Sequence, residues 1–248
     1  MRLILKTAVF PLLLTVMSIG NLLAKEITLY ASSSIPPYVI SKTDNGIAVD
    51  VIRAAFAFKG YTVKFVVAPN RRVEKQLTER KVDGAYNMPQ QKIPNLFYSQ
   101  PVMYYDDIFV SLESSHIVIN RVEDLAGKRI VAFQNAPKYI GKQFAEIAEK
   151  SSGYSEVGDQ ELQLRMLYSG DRTDVIVLDR NIFNYYFNQK KNPPYPPNSF
   201  VIHTIFPKVP IFAAFIDATV RDDFNEGLEA IRKTGQYKKI IDAYLDEN

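Results

Sequence analysis

Between Glu26 and Met88 the hydrophobic pattern switches repeatedly between two periods, and that alternation limits the folds open to the chain. EITLYAS is a short apolar run rich in β-formers. GIAVDVIRAAFAFKG then places Val49, Ile52, Ala55 and Phe56 on one helical face, with Gly60 as its stop. YTVKFVV reads as a second strand, Asn70 as the cap of a helix through RRVEKQLTERK, and VDGAYNM as a third strand. Strand, helix, strand, helix, strand in this order predicts a parallel sheet covered by helices.

A second set of the same kind follows. VEDLAGK leads into the strand RIVAFQ, and KYIGKQFAEIAEK is a helix burying Ile140, Phe144 and Ile147. YSEV is a strand, DQELQLRMLYSG a helix opened by Asp159 and closed by Gly170, and TDVIVLD a buried strand. RNIFNYYFNQK is a helix, KNPPYPPNS a proline-rich loop, and FVIHTIF and VPIFAAF are strands. DATVRDDFNEGLEAIRKTG and YKKIIDAYL read as closing helices. DIFVSLESSHI, near residues 107–117, joins the two sets, and the tail beyond residue 208 is expected to return to the first.

Composition removes several kinds of chemistry. With no cysteine there is no disulfide, thiolate site, cysteine nucleophile or lipidated cysteine. The two histidines, His116 and His203, have no metal-site spacing, and neither GxSxG nor a phosphate-binding loop is present, so no metal or cofactor is implied. The N-terminus carries Arg2 and Lys6 ahead of an uncharged, mostly apolar stretch from Thr7 to Ala24, which predicts a secretory signal over residues 1–24. Removing it lowers the formal charge from +3 to +1, a poor match for nucleic acid. An uncleaved membrane anchor is the alternative, weakened by Pro11, Gly20 and Asn21.

Several segments, in order, resemble the family 3 extracellular solute-binding proteins, the periplasmic receptors of amino-acid ABC transporters. They are ITLYASSSIPPYVI, GIAVDVIRAAF, KVDGAYNM, FYSQPVMYY, EDLAGKRIVAFQ, LRMLYSGDRTDVIVLD and FNEGLEAIRKTGQYKKIIDAYL. The resemblance covers nearly all of residues 26–245. It implies an α/β fold of the type II periplasmic binding protein kind, with two Rossmann-like lobes joined by two hinge strands. Lobe 1 would be residues 26–110 plus 209–248 and lobe 2 residues 111–208. Ligand would sit in the cleft, at the carboxyl ends of the strands.

The resemblance also proposes site residues. Asp179 matches the carboxylate that holds a ligand α-amino group; it is equally placed to cap the helix that follows. Lys92 stands where the family usually has an arginine clamping the α-carboxylate. Lysine is a point charge without the bidentate fork, and it also reads as a solvated surface residue. Pro89 replaces the preceding Thr or Ser, and the segment from Asp83 to Tyr98 is about three residues shorter than the common pattern. Gln134 and Asn135 stand in a loop that in the family often reads Gly-Thr-Thr; QNAPKY has lost both hydroxyls, and ordinary turn chemistry is the alternative.

Other candidates come from position. Arg71 and Arg72 lie at a strand's carboxyl end and could replace the missing clamp, or form a solvated helix face among Glu74, Lys75, Glu79, Arg80 and Lys81. Ser33, Ile35 and Tyr38 belong to the first ligand loop, with Tyr38 expected to pack and anchor it. Tyr86 and Asn87 end a strand that can face the cleft, and Tyr104 and Tyr105 sit at the hinge.

The function implied is non-catalytic capture of a small polar, amino-acid-like solute by a monomeric periplasmic receptor. It would be handed to an ABC-transporter permease in the inner membrane. The alternatives are a ligand-sensing module for a membrane receptor and a dehydratase-like enzyme on the same fold.

Overall fold

The computed structural model describes residues 25–31, 34–88, 93–170, 172–188, 196 and 198–245. The expected secretory signal and most of the proline-rich loop lie outside them. The alternating order of the sequence becomes two sheets with helices packed on them. The first combines β1 (Lys25–Ala31), β2 (Tyr61–Val67), β3 (Gly84–Met88), β4 (Phe97–Tyr98), β5 (Met103–Tyr105) and β11 (Val209–Phe215). β1 lies between β2 and β3, parallel to both, while β11 returns antiparallel to β3. α1 (Ile47–Ala57) and α2 (Asn70–Thr78) make the crossovers.

The second sheet has the order β10 (Phe200–His203), β6 (Asp107–Leu112), β9 (Val175–Asp179), β7 (Ile130–Phe133), β8 (Tyr154–Val157). Its helices are α3 (Ala136–Ile140), α4 (Lys142–Lys150), α5 (Gln160–Ser169) and α6 (Arg180–Phe187). β9 is buried along its whole length, so its five residues are covered on both faces. The chain crosses between the sheets at Asp106, and returns between β10 and β11.

The tail does rejoin the first half. α7 (Ala218–Lys233) buries Val220, Phe224, Gly227, Leu228 and Ile231, a single helical stripe, against α1. Phe56 of α1 meets Phe224 at 5.1 Å and Phe215 of β11 at 5.8 Å between ring centres. The helices approach so closely that a Cβ on Gly227 would lie 2.8 Å from the Ala55 carbonyl carbon, and nearer still to its oxygen. α8 (Gln236–Leu245) packs on α1, α7 and α6. The largest apolar cluster runs through both halves, from Ile27, Phe56 and Leu228 to Val131, Ile176, Leu178 and Phe183.

Two local expectations change. Asn70 does not precede its helix; Pro69 holds the cap position, where the fixed ring torsion suits a helix start without a side-chain bond. The helix expected through KYIGKQFAEIAEK is two, because Gly141 takes φ 125 and separates α3 from α4.

Candidate functional site

The loop after β1 is built onto the start of α1. The carbonyls of Pro37 and Tyr38 accept from the N–H groups of Ile47 and Ala48, donors that a helix start leaves unpaired. Gly46, at φ 132, lies with its Cα side against the Tyr38 carbonyl, where a Cβ would collide. Its N–H donates to the Tyr244 hydroxyl of α8 at 2.9 Å. Tyr38 is thereby fixed by the first half, and its side chain is 1% exposed.

That side chain crosses to the second half. The Tyr38 hydroxyl donates to Asp179 Oδ1 at 2.7 Å and accepts from Asn181 Nδ2 at 3.0 Å. Asp179 ends β9 and caps α6: Oδ1 also accepts from the N–H groups of Asn181 (2.9 Å) and Ile182 (3.2 Å). Oδ2 accepts from the Asp106 N–H at 2.8 Å. The carboxylate is buried, at 4% exposure. Burial pushes its pKa up, and these hydrogen bonds, Tyr38's first among them, pull it back. Burial, then the nearby Asp179 charge, raises the Tyr38 hydroxyl well above the usual tyrosine value, so it remains a donor.

Around this bond lies a tyrosine cluster. Tyr105 packs against the Tyr38 ring at 4.9 Å. Tyr86 is buried and donates to Met103 Sδ at 3.2 Å. Burial raises the pKa of both Tyr86 and Tyr105.

A group of charges borders the cluster. Asp107, opposite Asp179 in the β6–β9 register, is pushed up to about 7 by burial, then by Asp179 and Asp106. Arg180 donates through Nε to Asp106 Oδ2 at 2.7 Å and through Nη2 to Thr204, joining the two crossings between the halves.

Asp179, Tyr38 and Tyr86 are therefore gathered at the junction of the halves. Ile35 is half-buried on the apolar cluster, bridged to Val39. Asn87 is half-buried at the end of β3, with φ 62. Arg71 and Arg72 are exposed on the first turn of α2. Gln134 and Asn135 are exposed after β7, and the Asn135 N–H donates to Glu156 Oε2 at 2.7 Å. Ser33 and Lys92 lie outside the described residues.

Asp106, Asp107, Arg180 and Asn181 were not among the sequence candidates. The acidic pair directly after Tyr104 and Tyr105, at the joint between the two sets, was the available signal. The arrangement offers a buried carboxylate, tyrosine hydroxyls and a carboxamide, suited to holding a polar or cationic group.

The sequence matches the bacterial extracellular solute-binding proteins, family 3, over residues 27–247, and the chain belongs to that family. No curated protein matches it. Among solved structures it is similar to a histidine kinase sensor domain with similarity to periplasmic binding proteins. That likeness has 21% identity, 89% of this chain, 96% of the other and a TM-score of 0.65. It is also similar to an ABC uptake transporter substrate-binding protein from Streptococcus pneumoniae with bound histidine (22%, 90%, 93%, 0.65). An ancestral cationic amino acid solute-binding protein shares 18% identity over 89% of this chain and 96% of the other, with a TM-score of 0.70. These likenesses show the two-lobed α/β fold of type II periplasmic binding proteins. Among the described residues, no helix is long and apolar enough to cross a membrane.

Proposed function

We propose that the chain is a periplasmic receptor that captures a small polar solute, an amino acid or related compound, and delivers it to an ABC-transporter permease. The observation that carries this reading is the meeting of the first half's β1–α1 loop, through Tyr38, with the end of β9 at one buried carboxylate, Asp179, in a solute-binding family member. In this reading residues 1–24 are a cleaved signal, and the lobes are 26–110 with 209–248, and 111–208. The working form is a monomer and performs no chemistry on its solute.

Asp179 would hold the ammonium group, and Arg71, Arg72 or Lys92 the carboxylate. Gln134, Asn135, Asn87 and Ser33 would supply hydrogen bonds, and Tyr86, Ile35 and Tyr38 the wall. Water exclusion on closure would strengthen the charged contacts.

The test is thermal melting of residues 25–248, unfolded and refolded to strip bound solute, against amino acids, polyamines, dicarboxylates and cyclic acids. A solute at a hundredfold its Kd stabilises the folded state by about 2.7 kcal/mol. A shift with a few L-amino acids, lost in Asp179→Ala and weakened in Arg71→Ala or Arg72→Ala, supports the reading. A shift with another class only, or consumption of a cyclic acid, would overturn it. A second reading, ligand sensing for a membrane receptor, draws on the likeness to the kinase sensor domain. Cross-linking in cells to a kinase rather than a permease would favour it.

A further inference from the structure

We propose that the Tyr38 hydroxyl is a built-in occupant of the Asp179 subsite, latching the two halves and competing with the ammonium group of an incoming solute. This rests on the receptor reading above, and makes Tyr38 the residue that sets which ligands the subsite accepts.

Asp179 Oδ1 accepts three hydrogen bonds, more than its two lone pairs accommodate comfortably. Two come from N–H groups in the first turn of α6 and cannot leave without unwinding it. The third comes from Tyr38, carried by the other half and free to withdraw when the halves part. An ammonium group reaching Oδ1 must therefore take the place of the Tyr38 hydroxyl. That hydroxyl is well held: its backbone is bonded to α1, its ring lies on Tyr105, and Asn181 Nδ2 donates to its oxygen. Displacing it breaks two hydrogen bonds at once.

A cation can make that exchange favourable, because a charge-assisted bond to a carboxylate is roughly twice as strong as a neutral one. A ligand lacking the ammonium group brings no such gain and leaves Tyr38 in place. The hydroxyl thus acts as a threshold that only ammonium-bearing solutes pass.

The experiment compares the refolded protein with Tyr38→Phe, which keeps the ring and removes the hydroxyl. Calorimetric titration would use matched pairs in which the α-ammonium is the only cation: L-glutamine with glutaramate, L-leucine with 4-methylpentanoate, L-alanine with propionate. The expected result is a gain of roughly tenfold in affinity for the amino acid and none for its desamino partner.

A ligand-free measurement runs beside it. The chain has no cysteine, so Lys75→Cys on α2 and Lys142→Cys on α4, both exposed, can carry a fluorescence-transfer pair. Tyr38→Phe should lengthen the distance between them. Unchanged distances, or equal gains for both members of each pair, overturn the latch. Equal amino-acid affinities in the two proteins also overturn it and leave the receptor reading standing. If distances lengthen but no ammonium compound binds either protein, the latch stands and the amino-acid reading falls.

Discussion

Replacing Gly227 with alanine tests the packing that fixes the first half. The added methyl would lie 2.8 Å from the Ala55 carbonyl carbon and 3.2 Å from its Cα, where ordinary contact begins at 3.4 Å. With the carbonyl oxygen nearer still, α7 must retreat from α1 by about 1.5 Å, and close-packed interiors do not supply that room. Overpacking costs about 1–3 kcal/mol, and the upper end applies because the obstacle is helix backbone rather than a movable side chain. Alanine returns about 1 kcal/mol through its helix propensity. The expected net loss is about 2 kcal/mol, or roughly 4–8 °C in Tm for a chain of this size. Calorimetry reads the shift, and urea unfolding with an unchanged m-value shows that the native state rather than the denatured state was altered. A Tm equal to or above that of the parent would refute the argument that Gly227 is present for close helix approach.

At the junction, Arg180→Ala removes the cation on Asp106, whose Oδ1 is already buried without a partner among the described residues. Partial exposure of Arg180 keeps the expected loss near about 2 kcal/mol, below that of a fully buried pair, and a urea midpoint equal to that of the parent would count against the ion pair. Asp107 and His203 should give opposite pH slopes. The raised Asp107 value means the folded state holds an extra proton between about pH 4 and 7, so its contribution is full below about pH 4 and is lost as pH rises from there through 7. Burial lowers the pKa of His203, which bonds to Ser111 at 2.9 Å, so its contribution is present above about pH 6.5 and lost as pH falls below it. In Asp107→Asn, Tm should rise at pH 8 by the equivalent of about 2–4 kcal/mol, by roughly half as much or less at pH 5, and change little at pH 4 and below; an unaltered difference between pH 8 and pH 4 would count against the Asp107 assignment.

Much of the fold was legible because strong local signals agreed with it. The alternating periods located β1, α1, β2 and β3, and the caps at Asp159 and Asp179 and the stop at Gly170 appear where the residues suggested. β6 read only as a joint, since its centre is buried on both faces and shows no alternation. β4 and β5 are too short to display a period, and their pairing with β11 spans more than a hundred residues. For the site, Asp179 was visible at the end of an apolar strand and Tyr38 as the anchor of a proline-bound loop. Their direct bond was not, because it joins residues 141 positions apart in different halves. Such a contact depends on how the halves meet, and neither local pattern encodes it.

The placement of α8 bears on how the halves can move. Tyr244 bonds to Asp50 and Gly46 on the first half, while Asn188, at the end of α6, donates to the Leu245 carbonyl at 3.2 Å. Ile240, Ile241 and Leu245 belong to the apolar cluster that also holds Phe183 and Phe187 of α6. The closing helix is thus a third point of contact between the halves, beside the two strands that join them. A change in their angle must slide α8 over α6, and interlocked side chains yield by shear between packed arrangements. Motion in this protein must therefore repack α8 on α6 as well as bend the two strands.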